Sequence, residues 1–472
     1  FVVDSGYCIT LDNVPEELYS EIINSKELIA EWELLFSISD IKEDMLTVPG
    51  SILLEENGDK NKKVEFLKQN PFLVLDTKFF SSEFYEKLLA TISNLDEKTD
   101  GLLINADNFH GLNLLQEKYK EKIKCTYVDP PYNTNASEII YKNGYKHSSW
   151  LSLIHDRVIS TKPLLSGNGV FELAIDDAEQ HRLKTMLDQV FGENNHIANI
   201  AIMHNPKGRE QSFVSDAHEY TFLYAKNILT ASMNRLPLSE AELKAKYPKK
   251  DDLDNYRELP LRRSGTAPFR QDRAYMYFPF IVHSSGEIEI IPRDEYCKIF
   301  NGTTFDDDYI GELNKKYKSN GSLLIWPIRE DGSLGRWRWG YDRCVSSCKD
   351  KIFFVRGREN EKTIYHKDYS NNSMLPKSLW YDNRYDASTK GTNLLKSIIP
   401  ANGFDYPKSI FAVEDFLRLG MSKNEACLDF FAGSGTTGHA VINLNREDDG
   451  KRKYILVEMG EYFDKVTKPR IQ

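Results

Sequence analysis

A strand-like run that stops on two prolines constrains this chain more than any other feature. Ile123-Lys124-Cys125-Thr126-Tyr127-Val128 is short and rich in β-formers, so it reads as a buried strand. Asp129-Pro130-Pro131-Tyr132 follows. Neither proline can donate to a ladder and both fix φ, so the strand must end there. A carboxylate is thereby left at the carboxyl end of a strand, where open α/β sheets place their ligands. A second apolar run, Ala426-Cys427-Leu428-Asp429-Phe430-Phe431, leads into Ala432-Gly433-Ser434-Gly435-Thr436-Thr437, after which helical spacing resumes through Ala440, Val441 and Leu444. Strand, glycine-rich turn and helix amino terminus let a backbone approach a nucleotide-like ligand. The turn lacks the Gly-Lys-Ser/Thr ending of a phosphate loop, which argues against a nucleotide triphosphate. A third run, Lys453 to Glu458, ends in an acid roughly twenty places after the glycine turn, a position suited to ribose hydroxyls.

Asp129 to Tyr132 suits one kind of chemistry. An aniline-like amino nitrogen is a poor nucleophile because its lone pair is delocalised into the ring. Acceptors aimed at both N–H groups draw that nitrogen toward an attacking geometry, and the Asp129 carboxylate with the rigidly held Pro130 carbonyl supplies two. Tyr132 offers a face on which an extruded base can stack. The bland alternative is a strand-end turn with a solvated carboxylate, and a glycine turn alone is equally ordinary. The two together are informative.

With these segments in place, the chain resembles the β-class DNA amino-methyltransferases, and most closely the modification subunit of type III restriction–modification systems. Gly101 to Asn108, Leu112 to Leu115, Asp129 to Thr134, Lys146 to Leu151, Asn168 to Phe171, Ile175 to Asp177, His218-Glu219-Tyr220, Pro407-Lys408-Ser409 and Leu428 to Asn445 fit in order. The resemblance covers roughly residues 76–230 and 376–470. It implies S-adenosyl-L-methionine as cofactor. Phe431, Gly433, Ser434 and Gly435 would cradle its amino-acid part, with Thr436 and Thr437 beside them. Glu458 would hold the ribose, Asp107 would contact the adenine ring, and Lys408 falls in the segment that closes the methionine side. Asp129, Pro130, Pro131 and Tyr132 become the catalytic residues, with Asp129 also facing the cofactor. Asp129 at the first catalytic position resembles adenine-N6 enzymes, whereas cytosine-N4 enzymes usually begin that motif with serine. The resemblance further implies double-stranded DNA as substrate, a homodimer, a possible helicase–nuclease restriction partner and a cytoplasmic location.

The expected fold is α/β: a doubly wound, mostly parallel, Rossmann-like methyltransferase sheet with an inserted target-recognition domain and an N-terminal appendage. Residues 1–75 carry charged helical patterns, such as Asn13 to Trp32, and read as an appendage for dimer or partner contacts. Residues 76–230 alternate strand and helix and form the catalytic half. Residues 231–395 lose that rhythm and form the inserted domain, with Tyr275 to Phe280 and Ile288 to Ile291 as strands. Residues 396–472 restore the rhythm and form the cofactor half.

A chain of 472 residues with 40% hydrophobic content supports two or three domains. No apolar run reaches the ~18 residues of a membrane span. The six cysteines are scattered, and only Cys344 and Cys348 lie close, without nearby histidines, so reduced thiols and no metal site are expected. Net charge is −10, awkward for a DNA binder, yet residues 314–361 hold eleven Lys and Arg against six Asp and Glu. There Arg336-Trp337-Arg338-Trp339 serves either nucleic-acid contact or a hairpin with aromatic cross-strand pairs. His147 is a candidate for the base pocket, while His110 and His204 read as ordinary structural histidines. Competing functions are a non-catalytic or partner-dependent DNA-recognition subunit, a cytosine-N4 enzyme, an RNA methyltransferase, and a protein-glutamine methyltransferase. The last usually starts the motif with asparagine and places the cofactor loop first.

Overall fold

The computed structural model describes residues 5–40, 48–134, 146–208, 213–358 and 361–472. They form two units, residues 1–236 with 375–472, and residues 237–374. The first is built on an eight-stranded sheet: β1 Gly101–Asn105, β2 Ile123–Val128, β3 Leu165–Ile175, β4 His196–Ile202, β5 Glu219–Ala225, β6 Leu379–Trp380, β7 Ala426–Asp429 and β8 Lys453–Glu458. The spatial order is β6-β4-β5-β3-β2-β7-β8-β1. All neighbours are parallel except at β5, which runs antiparallel to both β3 and β4. This is the mixed, mostly parallel sheet expected from the alternation of strand and helix.

The central strands are buried along their length, as strands covered on both faces must be. Lys124 is tolerated inside β2 because its ammonium donates to the carbonyls of Asn168 and Ser232, each at 2.7 Å. Helices α1 Asn108–Tyr119, α2 Lys146–Thr161, α3 Gln180–Phe191, α4 Ile410–Gly420 and α5 Thr436–Asp448 accompany the sheet. Leu112, Ile154, Val158, Leu183, Phe171, Leu428 and Ile455 join helices and strands in one core. A helix read from the sequence over Ser149 to Leu165 occupies Lys146–Thr161 among the described residues, and a strand read over Gly169 to Ile175 occupies Leu165–Ile175.

Residues at the amino end fold around their own core, which runs from Ile9 to Leu88 and so passes the boundary expected at 75. Cys8–Thr10 pairs antiparallel with Val74–Asp76. Helix Lys26–Phe36 lies in this core, with the Trp32 indole donating to the Val74 carbonyl at 2.6 Å. Asn13 to Trp32 is not one helix but short turns followed by this one. Asp76 accepts from Lys468 at 2.5 Å and pairs with Lys78 at 2.9 Å, which binds the amino-terminal layer to the chain's last helical turn.

In the second unit, Phe353–Arg356, Thr363–Tyr369, Asn255–Pro260 and Lys249–Lys250 form one antiparallel sheet. Ile288–Ile290, Phe280–Val282 and Leu323–Ile325 form another. The expected strand over Tyr275 to Phe280 is instead a helical turn at Ala274–Met276, and pairing starts at Phe280. Trp337 is fully buried and donates to the Phe278 carbonyl at 2.7 Å. Arg336 is buried too, bonded to the Ala267 carbonyl at 2.7 Å. The arginine–tryptophan run is therefore partly core. Residues after Met374 return to the first unit: Leu379–Trp380 pairs with Ala201 and Ile202, and Trp380 stacks on Phe416. An aromatic-rich composition places this stretch in the insertion, but Trp380 and Tyr385 are buried beside α4, while Tyr381 is exposed. Among the described residues no helix is long and apolar enough to cross a membrane.

Burial pushes the Asp76 carboxyl up, but its bonds from Lys468 and Lys78 hold it below its usual value. That contribution to stability is present above the unfolded-state value and lost as pH falls through the lowered folded one. Asp76→Ala should cost about 2 kcal/mol in urea denaturation, less than a fully buried pair because both lysines reach solvent. The loss should shrink as the pH is taken toward 3.

Candidate active site

Because β2 and β7 are parallel neighbours, with Leu428 opposite Thr126, their following loops leave the same edge of the sheet side by side. One carries Asp129 and Tyr132, the other the glycine turn. The reversed strand β5 presents its first residue, Glu219, at that edge.

Lys408, just ahead of α4, is buried among three oxygens. Its ammonium lies 3.4 Å from Asp129 Oδ1 and 2.5 Å from Glu219 Oε2, and it donates to the Tyr132 hydroxyl. Tyr132 in turn donates to Glu219 at 3.1 Å, which pins the ring. His204 Nδ1 lies 3.9 Å from the same carboxylate oxygen. Burial and the Glu219 charge raise the Asp129 carboxyl against the pull of Lys408. Glu219 is also opposed by burial, yet Lys408 and His204 bring it below its ordinary value. Two like charges at one site separate in this way, and Lys408 sides more closely with Glu219. Trp150 donates to the Pro131 carbonyl at 2.7 Å and fixes the second proline. Asn133 sits in the left-handed region with φ 61° and bonds to the buried Glu179, which also meets His147. His147 thus braces the loop base.

At the glycine turn, Gly433 and Gly435 have φ of 53° and 80°, a conformation that favours glycine. A Cβ at Gly433 would also lie 3.2 Å from the Phe404 ring. Glu458, at the end of β8, accepts from the backbone N–H of Gly433, Met459 and Gly460, each at 2.8 Å. Asp429 accepts from Phe431 N at 3.0 Å and the Thr437 hydroxyl at 2.6 Å, tying strand, turn and helix together. Ser434, Thr436 and Thr437 are buried, with the first two hydroxyls turned toward Arg470. Asp107 caps α1 through Phe109 N at 2.9 Å and lies 3.6 Å from Arg157. The adjoining Asn108 donates to the Phe430 carbonyl at 3.1 Å, which draws this corner to the glycine turn.

The expected residues therefore fall into two groups: Asp129, Pro130, Pro131, Tyr132 and Lys408 at one loop, and Asp107, Phe431 to Thr437 and Glu458 around the other. Lys408 belongs with the carboxylates of the first loop. From sequence, Glu219 is matched only within the segment His218-Glu219-Tyr220, His204 is read as structural, and Asp429 and Arg470 are given no role. An acid heading the β-forming run Glu219 to Ala225 was the one local signal available.

A part-buried acidic loop and a glycine turn thus stand side by side on neighbouring strand ends of a mostly parallel sheet. The chain belongs to the DNA methylase family of the N6/N4 class, whose model matches residues 123–468. The Type III restriction-modification enzyme EcoPI Mod subunit of Escherichia phage P1 is 30% identical, over 80% of this chain and 62% of its own length. The chain thus spans less than two thirds of that relative. Type II methyltransferase M.KpnI of Klebsiella pneumoniae is 30% identical over 81% of this chain and 86% of its own. The solved PvuII DNA methyltransferase (cytosine-N4-specific) aligns over 79% of this chain and 87% of its own, at 10% identity and a TM-score of 0.40.

Burial lifts the Asp429 carboxyl to about 7, with Asp129 and Glu458 adding to the effect. A raised folded-state value stabilises below the unfolded one and is lost as pH rises through about 7. Asp429→Asn should flatten the fall in melting temperature between pH 5 and 8, measured by scanning calorimetry.

Proposed function

We propose that this chain is a DNA adenine-N6 methyltransferase that takes its methyl from S-adenosyl-L-methionine and acts as the modification component of a restriction–modification system. The observation that carries the reading is the shared sheet edge at which Asp129 and the glycine turn emerge from adjacent parallel strands. Family membership and the likeness to the Mod subunit and M.KpnI support it.

The residues fit that cofactor. A carboxylate held by three backbone N–H groups suits a ribose diol, and a turn that a Cβ would fill at Gly433 suits close backbone approach. Glu458 would hold the ribose, Asp107 the adenine ring, and Phe431 to Thr437 the amino-acid end. The cofactor, when bound, supplies an electrophilic methyl on a sulfonium centre. A target adenine is flipped out at a cost of a few kcal/mol in stacking, and lies on the Tyr132 ring that Glu219 and Lys408 hold still. Asp129 and the Pro130 carbonyl accept from its amino group and orient the nitrogen for in-line attack. Because its carboxyl is raised by burial, Asp129 is a better base than a solvated aspartate and takes the proton released after transfer. Aspartate rather than serine at this position favours adenine over cytosine.

Residues 237–374 serve as the target-recognition unit, and residues ahead of the sheet serve contacts in a homodimer or with a restriction partner. The setting is cytoplasmic.

Mass spectrometry of nucleosides from DNA incubated with protein and cofactor should find N6-methyladenine; N4-methylcytosine instead would overturn the adenine assignment. Asp129→Ala should abolish turnover while calorimetry finds cofactor affinity within about threefold, since general acid–base and orientation effects act on the reacting group. Gly433→Asp should lose cofactor binding altogether, because the turn holds φ 53° and its Cβ meets Phe404.

A further inference from the structure

Arg470 is a buried cation with no carboxylate paired to it among the described residues. It lies in the turn Lys468–Ile471, is 5% exposed, and its Nη2 is enclosed with no hydrogen-bond partner among the described residues. Its Nη1 donates to Ser434 Oγ at 2.7 Å and Thr436 Oγ1 at 2.9 Å, and its Nε to His439 Nδ1 at 3.3 Å. None of these partners is a carboxylate. Burial, and then the charge of Arg470, bring the His439 imidazole down to about 4, so it is a neutral acceptor. Burial alone pulls Arg470 itself down to about 10. An interior charge with only neutral partners is costly to hold, and the cost falls when an anion arrives.

The location says where that anion would sit. Ser434 and Thr436 flank Gly435, the N-cap of the thirteen-residue α5, whose first N–H groups and dipole already favour negative charge. By donating to both hydroxyls, Arg470 takes up acceptor capacity on each and leaves their protons to be donated elsewhere. The two oxygens lie 3.2 Å apart, so one proton serves the other hydroxyl and the second is available. No lysine lies in the turn, so a single negative charge is matched better than a polyphosphate.

We propose that Arg470 is the counter-charge for the carboxylate at the amino-acid end of the cofactor, acting through the Ser434 and Thr436 hydroxyls and the amino terminus of α5. The inference rests on reading Gly433 to Gly435 as the cofactor turn. Arg470 is on this account a positioning residue: it touches the hydroxyls, and they meet the ligand.

Two ligands separate this role from a structural one. S-Adenosylhomocysteine keeps the amino-acid carboxylate, whereas 5′-deoxy-5′-methylthioadenosine has the nucleoside and thioether without it. Arg470→Met should weaken the first by about thirtyfold or more in calorimetry, as removal of one partner from a buried charge pair does, and leave the second within about twofold. Arg470→Lys should recover part of the loss. Ser434→Ala, which keeps the cation, should produce the same selectivity and serves if Arg470→Met fails to fold. A parallel loss for both ligands, or no loss for either, would overturn the proposal. If the unaltered protein binds neither ligand, the cofactor turn itself has been misread, a failure distinct from a variant that loses both.

Discussion

The hydrogen-bonded ladder between Ile123–Val128 and Ala426–Asp429 is the contact on which the site depends. Parallel pairing sends both chains out at one edge; antiparallel pairing would have put the acidic loop and the glycine turn at opposite ends of the sheet. The reversed strand Glu219–Ala225 follows the same logic in mirror form, since its reversal delivers a first residue to that edge. Sheet direction, more than any side chain, decides which groups meet.

Charge then organises the edge. Asp129 and Glu219 crowd together, and Lys408 makes the crowding tolerable without neutralising it. Glu219 holds its negative charge the more firmly, which leaves Asp129 the carboxyl more ready to take a proton. The same lysine and glutamate grip Tyr132 from its hydroxyl end. At the neighbouring turn the design differs: Glu458 and Asp429 are spent on holding backbone and hydroxyl groups.

Local pattern revealed what local physics controls. Prolines ending a buried run, and glycines between a strand and a helix, can be read without knowing what lies across the sheet. The roles of Glu219 and Arg470 could not, because each acts through a partner remote in the chain: Glu219 through Lys408, Arg470 through Ser434. Lys408 was visible as a residue, but its place among the carboxylates was not. Composition leaves Trp337 open between nucleic-acid contact and a hairpin and puts the stretch around Trp380 in the insertion, yet both indoles are packed into cores. Aromatic content alone does not say which side of a surface a ring will occupy. The Asp76–Lys468 pair was similarly invisible, since its partners lie 392 residues apart.

The strand order has a consequence for how the molecule is made. β7 and β8 are wedged between β2 and β1, yet they are made after the other six described strands of that sheet. Until residues 426–458 emerge, β1 has no neighbour and β2 keeps a bare edge where β7 belongs. Long-range pairing of this kind is slow, and an open edge invites association with other chains. Residues 237–374, with their own core, can fold meanwhile. Synthesis thus completes one unit first, while the other waits, half-paired, for its two missing strands.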